Sequence, residues 1–107
     1  MSVISLEKLP VREAVPGLHG RFVHGERTTL AFWRIEEGAV LPEHHHPHEQ
    51  VAHIIKGRFE LVVNGKAHSL KAGDVLVIPP DAVHGGKALT ECEILDVFSP
   101  VRTDYQL

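Results

Sequence analysis

Short apolar segments, separated by glycine and proline, follow one another along most of the chain. From residue 28 onward they are rich in Val, Ile, Leu and Phe, and none carries the repeat of an amphipathic helix. The segments that qualify as strands are residues 28–35, 39–41, 51–55, 59–63, 66–70, 75–78 and 93–98. Many short strands with turns between them are typical of a sandwich or a barrel, so the sequence predicts an all-β fold.

The strongest turn signal is Asn64-Gly65, which lies between the segments FELVV and KAHSL. A type I′ turn needs two residues that tolerate positive φ, and this dipeptide provides them. We therefore expect a hairpin here. The first twenty residues, with Pro10 and Pro16, give no clear assignment.

The 107 residues and the charge of −3 limit the possible classes of protein. A chain of this length fits one domain, so we expect a single domain over residues 1–107. The basic residues are scattered, which argues against nucleic acid or an anionic membrane as a partner. Neither a signal peptide nor a membrane span is visible, so we expect a cytoplasmic protein.

Five of the nine histidines fall between residues 44 and 53, four of them in the stretch EHHHPHEQ. Side chains alternate along extended backbone, so His44 and His46 point to one side and His45 to the other. Past Pro47, the same alternation places Gln50 on one face of the next strand and Glu49 on the opposite face.

His84 follows an apolar strand and two prolines, in the stretch IPPDAVHGG. The chain can turn there and direct the imidazole back into a barrel. Three histidines with one oxygen donor form a recognised site for a first-row metal ion that leaves room for water or substrate. The residues alone leave both Glu49 and Gln50 open as that donor.

These residues resemble the first conserved motif of small single-domain cupins, G(x)5HxH(x)3-4E(x)6G. Gly38, His44, His46 and Gly57 match it, and Gln50 stands where the motif has glutamate. Six residues separate Gln50 from Gly57, as the motif requires, so the spacing favours Gln50 over Glu49 as the ligand.

The second cupin motif, G(x)5PxG(x)2H(x)3N, is similar to the segment from Gly73 to Ala88. Pro79 and His84 match it, whereas Asp81 replaces a glycine and Ala88 an asparagine. The resemblance implies a double-stranded β-helix barrel of the jelly-roll type. It also implies a divalent metal ion held by His44, His46, Gln50 and His84, which can be iron, nickel, manganese, zinc or cobalt.

A neutral amide in place of glutamate has an electrostatic consequence. Three neutral imidazoles and an amide leave a divalent ion with its full charge, which favours an anionic oxygen ligand. The same ligands make the ion harder to oxidise, which argues against iron-dependent dioxygenation.

The C-terminal stretch LDVFSPVRTDY is similar to the end of the KdgF-type pectin-degradation cupins, in which glutamine is also a metal ligand. Asp96, Phe98 and Arg102 reproduce the DxFxxxR spacing of residues that line the pocket in that subgroup. The alternative is structural: Asp96 and Arg102 form an ordinary ion pair and Phe98 belongs to the core.

The resemblance implies ring opening of a 4,5-unsaturated uronate, an anionic sugar. In this hypothesis Arg102 neutralises the carboxylate, Asp96 moves a proton, and Phe98 and His48 contact the sugar. Two alternatives stay open: a metal-dependent dioxygenase or other small-molecule enzyme, and a non-catalytic sugar-binding or sensor module.

Three further residues receive structural interpretations. His45 and His53 face away from the site, and Cys92 is a small buried side chain without chemistry. Small cupins are commonly homodimers, and the apolar segment 28–35 is compatible with an additional buried surface.

Overall fold

The computed structural model describes residues 2–106, and these residues form strands joined by short turns. The strands are β1 (Arg12–Val15), β2 (Leu18–His24), β3 (Thr29–Ile35), β4 (Val40–His44), β5 (Glu49–Lys56), β6 (Arg58–Val63), β7 (Lys66–Lys71), β8 (Val75–Ile78), β9 (His84–Ala88) and β10 (Cys92–Ser99). Two single turns of 3-10 helix, Leu6–Lys8 and Thr103–Tyr105, lie near the two ends.

The strands form two antiparallel sheets. One has six strands in the order β1-β2-β3-β10-β5-β8, and the other has four in the order β4-β9-β6-β7. Neighbours in these sheets are not always neighbours in the chain, since β10 pairs with both β3 and β5. The all-β prediction is confirmed, and the two sheets form a jelly-roll barrel.

The hydrophobic core lies between the sheets. Because side chains alternate between the two faces of a strand, one face contributes to the core. In β3, for example, every second residue from Thr29 to Ile35 is buried. Trp33, Ile54 and Phe98 of the larger sheet join Phe59 and Leu61 of the smaller one in a single buried cluster. Side chains of one face of each strand therefore line the interior, where a site can be enclosed.

The predicted hairpin is confirmed. β6 and β7 pair from Arg58 opposite Lys71 to Val63 opposite Lys66, and Asn64 and Gly65 both have positive φ, 48° and 80°. These angles fit the type I′ turn that the dipeptide predicts.

Other boundaries differ from the prediction. The unassigned N-terminal residues contain β1 and the first part of β2, which pairs with β3 across its whole length. β9 contains two glycines, Gly85 and Gly86, and was missed because glycine weakens any strand signal. A Cβ at Gly86 would meet the Glu60 carbonyl and the Phe59 ring, so close packing accounts for the glycine there.

No helix in the described residues is long and apolar enough to cross a membrane.

Candidate metal centre and substrate pocket

Three histidine side chains converge at one end of the smaller sheet. His44 ends β4 and His84 begins β9, and their Cα atoms are paired across the two strands. His46 follows in the connection to β5. The ring centroids are 4.3 Å apart for His44 and His84, 5.0 Å for His46 and His84, and 5.7 Å for His44 and His46. One ring nitrogen of each lies within 4.8 Å of the others, so the three can hold a metal ion.

Backbone carbonyls fix the orientation of all three rings. Each Nδ1 lies at hydrogen-bond distance from a carbonyl oxygen: 2.9 Å for His44 and Pro42, 3.1 Å for His46 and His48, and 2.8 Å for His84 and Ala82. A proton on Nδ1 leaves the Nε2 lone pair free to bind a metal, which is the usual arrangement of metal-binding histidine. Nε2 of His84 is buried without a hydrogen-bond partner among the described residues, and this orphaned atom fits a metal ligand.

The surroundings keep two of these imidazoles neutral. Burial, assisted by the charge of Arg102, lowers the pKa of His46 to about 4. Burial also lowers the pKa of His84. Neutral imidazole is the form that binds a metal ion, so these two histidines are in the metal-binding protonation state at neutral pH.

Gln50 lies beside the histidines, whereas Glu49 does not. Both are in β5, but Gln50 is buried and Glu49 is exposed, as the alternation predicts. Oε1 of Gln50 is 3.1 Å from Nε2 of His46. With the His46 proton on Nδ1, this is about the separation of adjacent ligand atoms around a first-row metal ion. The predicted orientation is confirmed, and the role of Gln50 as a ligand stays a prediction.

Asp96 is a buried carboxylate in β10, at a position opposite Ala52 of β5. The Trp33 indole donates a hydrogen bond to its Oδ2 at 3.0 Å, whereas Oδ1 is buried without a hydrogen bond to any described residue. Burial raises the pKa of Asp96 to about 6, against the opposing influence of Gln50, Trp33 and Arg102. A carboxyl group of this kind can both donate and accept a proton near neutral pH.

Arg102 is buried, and its ion-pair partner is Asp104 rather than Asp96. Nε and Nη2 donate to the two carboxylate oxygens of Asp104 at 2.9 and 2.7 Å. The ion pair with Asp96 that the structural alternative predicts is therefore replaced by one with Asp104. Phe98 belongs to the core cluster, and it also packs edge-on against the His46 ring, with centroids 5.6 Å apart.

A cavity inside the barrel brings most of these groups together. Its lining includes His44, Gln50, Asp96 and Arg102, together with aromatic residues such as Tyr105 and apolar side chains such as Ile54 and Phe59. A second, more open cavity shares His44, Arg102 and Tyr105 with the first and adds Pro42 and Asp104. The two cavities are therefore adjacent.

The remaining histidines of the cluster line neither of these two cavities. His45 is exposed and His53 is partly exposed. His48 packs near Phe98 with ring centroids 6.5 Å apart, but it lines neither of these two cavities. Its predicted contact with substrate stays a prediction without support from the cavity lining.

Comparisons with known proteins identify the family of this chain. The family model described as "Cupin domain" matches residues 31–98, which is more than half of the chain. The chain belongs to the cupin domain family.

Two solved cupins are closely similar to this one in structure. KdgF from Halomonas sp. superposes with a TM-score of 0.90 and 28% identity, over 97% of each chain. An RmlC-like cupin from Shewanella frigidimarina superposes with a TM-score of 0.87 and 29% identity, over 92% of this chain and 90% of the other.

In sequence, this cupin is 38% identical over 71 residues to the pectin degradation protein KdgF of Dickeya dadantii (strain 3937). The alignment covers 64% of this chain and 64% of that protein, so slightly less than two thirds of the relative is spanned. The resemblance to KdgF-type cupins is therefore supported by both sequence and structure.

Two departures from the cupin motifs have structural explanations. Asp81 replaces a motif glycine and has φ of 64°, a left-handed conformation that aspartate tolerates better than most residues. Ala88 replaces an asparagine and is fully buried in the core cluster. The cupin scaffold thus keeps its shape at both positions.

Cys92 is buried, and its Sγ donates to the Arg58 carbonyl at 3.1 Å. Burial raises the pKa of this thiol, which fits the prediction of a structural side chain.

A second group of residues of metal-binding types lies at the surface. It consists of Glu13, His19 and Glu36, and Nε2 of His19 is 2.6 Å from a carboxylate oxygen of Glu36. We interpret it as a surface hydrogen bond between His19 and Glu36.

Three residues of the pocket were not expected from sequence. Trp33 binds Asp96, Asp104 binds Arg102, and Tyr105 stacks on the Arg102 guanidinium, with 4.3 Å from Cζ to the ring centroid. Trp33 and Asp96 are far apart in the sequence, so no local sequence pattern predicts their contact. The pair Arg102 and Asp104, in contrast, lies two residues apart and was visible in VRTDY.

Proposed function

We propose that this cupin is a metal-dependent enzyme that opens the ring of a 4,5-unsaturated uronate. The observation that carries the proposal is a cluster of three metal-competent imidazoles, one of which, His44, lines the same cavity as the buried acid Asp96 and the buried guanidinium of Arg102. The name of the Dickeya relative, a pectin degradation protein, supports an anionic sugar as the substrate class.

The ion would be held by His44, His46, Gln50 and His84. When bound, a divalent ion supplies a positive charge that polarises a sugar oxygen. Because the four ligands are neutral, that charge is available to an anionic substrate. The neutral imidazoles and the orphaned Nε2 of His84 support this ligand set.

Asp96 would transfer the proton. Ring opening breaks the bond between the anomeric carbon and the ring oxygen. The anomeric hydroxyl loses a proton to become an aldehyde, the ring oxygen leaves as an enolate, and that enolate gains one proton at carbon to become a ketone. The pKa of about 6 lets the same carboxyl group accept the first proton and donate the second. The net reaction is an isomerisation and needs no oxidant.

Arg102 and Phe98 would position the sugar. Arg102 lines the cavity and carries a permanent charge that can pair with the uronate carboxylate. Phe98 lines the same cavity and offers an apolar surface to the ring. Such rings also open slowly unaided, so positioning and modest acid-base assistance suffice.

Two further expectations concern the oligomeric state and the cellular location. We expect a homodimer, and the exposed Ile55, Val75 and Val77 on β5 and β8 support a buried outer face in the assembly. A cytoplasmic location stays a prediction.

Loss of the ultraviolet band of the unsaturated uronate tests the proposal. We expect the metal-loaded protein to accelerate this loss, and chelator-treated protein to lack the effect. Asp96→Asn is expected to lower the rate by about a hundredfold or more, since it removes the proton-transferring group. Glu37→Gln, an exposed acid beyond the end of β3, is the matched control and should retain the wild-type rate. A metal-loaded wild-type protein without acceleration would refute the proposal.

The two alternatives give different results in related assays. A dioxygenase consumes oxygen when loaded with iron. A sensor or binding module binds the uronate saturably without turnover, and Asp96→Ala leaves that binding in place.

A further inference from the structure

The guanidinium of Arg102 is held on three of its sides. Asp104 binds one edge through two hydrogen bonds, from Nε and Nη2, at 2.9 and 2.7 Å. Phe98 covers one face and Tyr105 contributes a second ring, with Cζ at 4.7 and 4.3 Å from the two ring centroids. A planar cation held in this way has little rotational freedom.

Both aromatic rings are themselves fixed. Tyr105 stacks on Phe22 with centroids 4.5 Å apart, and its carbonyl oxygen accepts a hydrogen bond from Nη1 of Arg12 at 2.9 Å. Phe98 is buried in β10. The C-terminal turn is thereby attached to β1 and β2, and the guanidinium is held by groups that are positioned independently of any ligand.

One edge of the guanidinium stays available. A guanidinium can bind a carboxylate side-on, through Nε and one terminal nitrogen, or end-on, through both terminal nitrogens. Asp104 takes the side-on edge, and Nη1 has no hydrogen-bond partner among the described residues. Arg102 can therefore serve two carboxylates, with Asp104 on one edge and a ligand on the other.

Arg102 is also close to the metal-competent residues. Its charge lowers the pKa of His46, His84 and Asp96. It lines the inner cavity together with His44, Gln50 and Asp96, and it lines the outer cavity together with Asp104. Arg102 is thus a buried cation that borders the cavity of the proposed site.

We propose that Asp104 is a positioning residue that locks the Arg102 guanidinium so that only its end-on edge can receive the carboxylate of a uronate. This inference rests on the proposed function for its substrate class. It makes Asp104 a specificity determinant that acts through Arg102 and does not touch the substrate. The opposite role, in which Asp104 competes with the ligand for Arg102, is an outcome of the test.

The test compares galacturonate with its methyl ester, which lacks the carboxylate charge, as ligands of the zinc-loaded protein in calorimetric titrations. We expect wild type to prefer galacturonate. Asp104→Ala should weaken galacturonate binding by about tenfold, because the guanidinium loses its fixed orientation, and should change methyl-ester binding by less than about twofold. Asp104→Glu should recover part of the loss. Glu37→Ala, an exposed acid far from this turn in sequence, serves as the control.

Three results would overturn the proposal. The first is an unchanged galacturonate affinity in Asp104→Ala. The second is an increased galacturonate affinity, which would show that Asp104 competes with the ligand. The third is an equal loss of affinity for the acid and the ester, which would show a general structural effect. The binding comparison is independent of turnover, so it decides the role of Asp104 even if the ultraviolet assay refutes ring opening. Where ring opening occurs, Asp104→Ala should raise KM about tenfold with kcat within about threefold.

Discussion

At the level of a single residue, the burial of the Asp96 carboxyl group costs stability. Its carboxyl group is buried beside Gln50 and Trp33, and burial raises its pKa from 3.8 to about 6. Folding therefore favours the protonated form. Above pH 6 the folded protein must hold an unfavourable buried charge, which contributes to stability with a negative sign.

We predict that Asp96→Asn stabilises the metal-free protein at pH 7.5. The penalty of the charged carboxylate is absent below about pH 4 and complete above about pH 6, so the gain from asparagine should grow across this window. A shift of about two pKa units corresponds to about 3 kcal/mol as an upper bound. Denaturant unfolding of chelated wild type and variant at pH 4.5 and 7.5 measures it. A gain equal at both pH values, or larger at pH 4.5, would contradict this account of Asp96.

Gln50 and Glu49 show what alternation can predict at the same scale. The period of a strand places adjacent side chains on opposite faces, and the structure has Gln50 buried and Glu49 exposed. The partners of a long-range contact follow no such rule. Trp33 and Asp96 meet only because β3 and β10 are adjacent, a pairing that no local pattern encodes.

At the scale of elements, the strands with alternating apolar residues were predictable, and the others were not. β6 and β7 combine a clear pattern with a turn dipeptide, and both were found. β9 carries the metal-competent His84 but also two glycines that packing demands. β1 and β2 lack a strong apolar pattern and gain their stability from pairing in the sheet.

Gly57 and Gly65 offer a matched pair of turns. Both have positive φ, 90° and 80°, but a Cβ at Gly57 would collide with the Glu91 carbonyl, whereas Gly65 has nothing nearby. We predict that Gly65→Ala costs about 1 kcal/mol of unfolding free energy, from backbone strain alone. Gly57→Ala should cost about 3 kcal/mol or more, because steric overlap adds to the strain. Chemical denaturation of the two variants measures the unfolding free energies. Equal losses of unfolding free energy would contradict the steric crowding at Gly57.

At the scale of the whole molecule, the site depends on how the two sheets are joined. The smaller sheet supplies His44 and His84 as a cross-strand pair, and the larger sheet supplies Gln50 and Asp96 from adjacent strands. The C-terminal segment then adds Arg102 to the cavity that His44, Gln50 and Asp96 line. The motif spacing predicts the histidines, whereas the closure of the pocket by the chain end depends on contacts with β2.

The central claim is that His44, His46 and His84 form one metal centre. Calorimetric titration of chelated protein with Zn²⁺ tests it most directly, with His84→Ala as the variant and His53→Ala, on the outer face of β5, as the control. We predict one tightly bound ion per chain in wild type and in His53→Ala. In His84→Ala we predict a loss of affinity of at least about a hundredfold, because one of the three imidazoles is gone. Wild-type protein that binds no ion, or a His84→Ala variant that binds one as tightly, would contradict the claim.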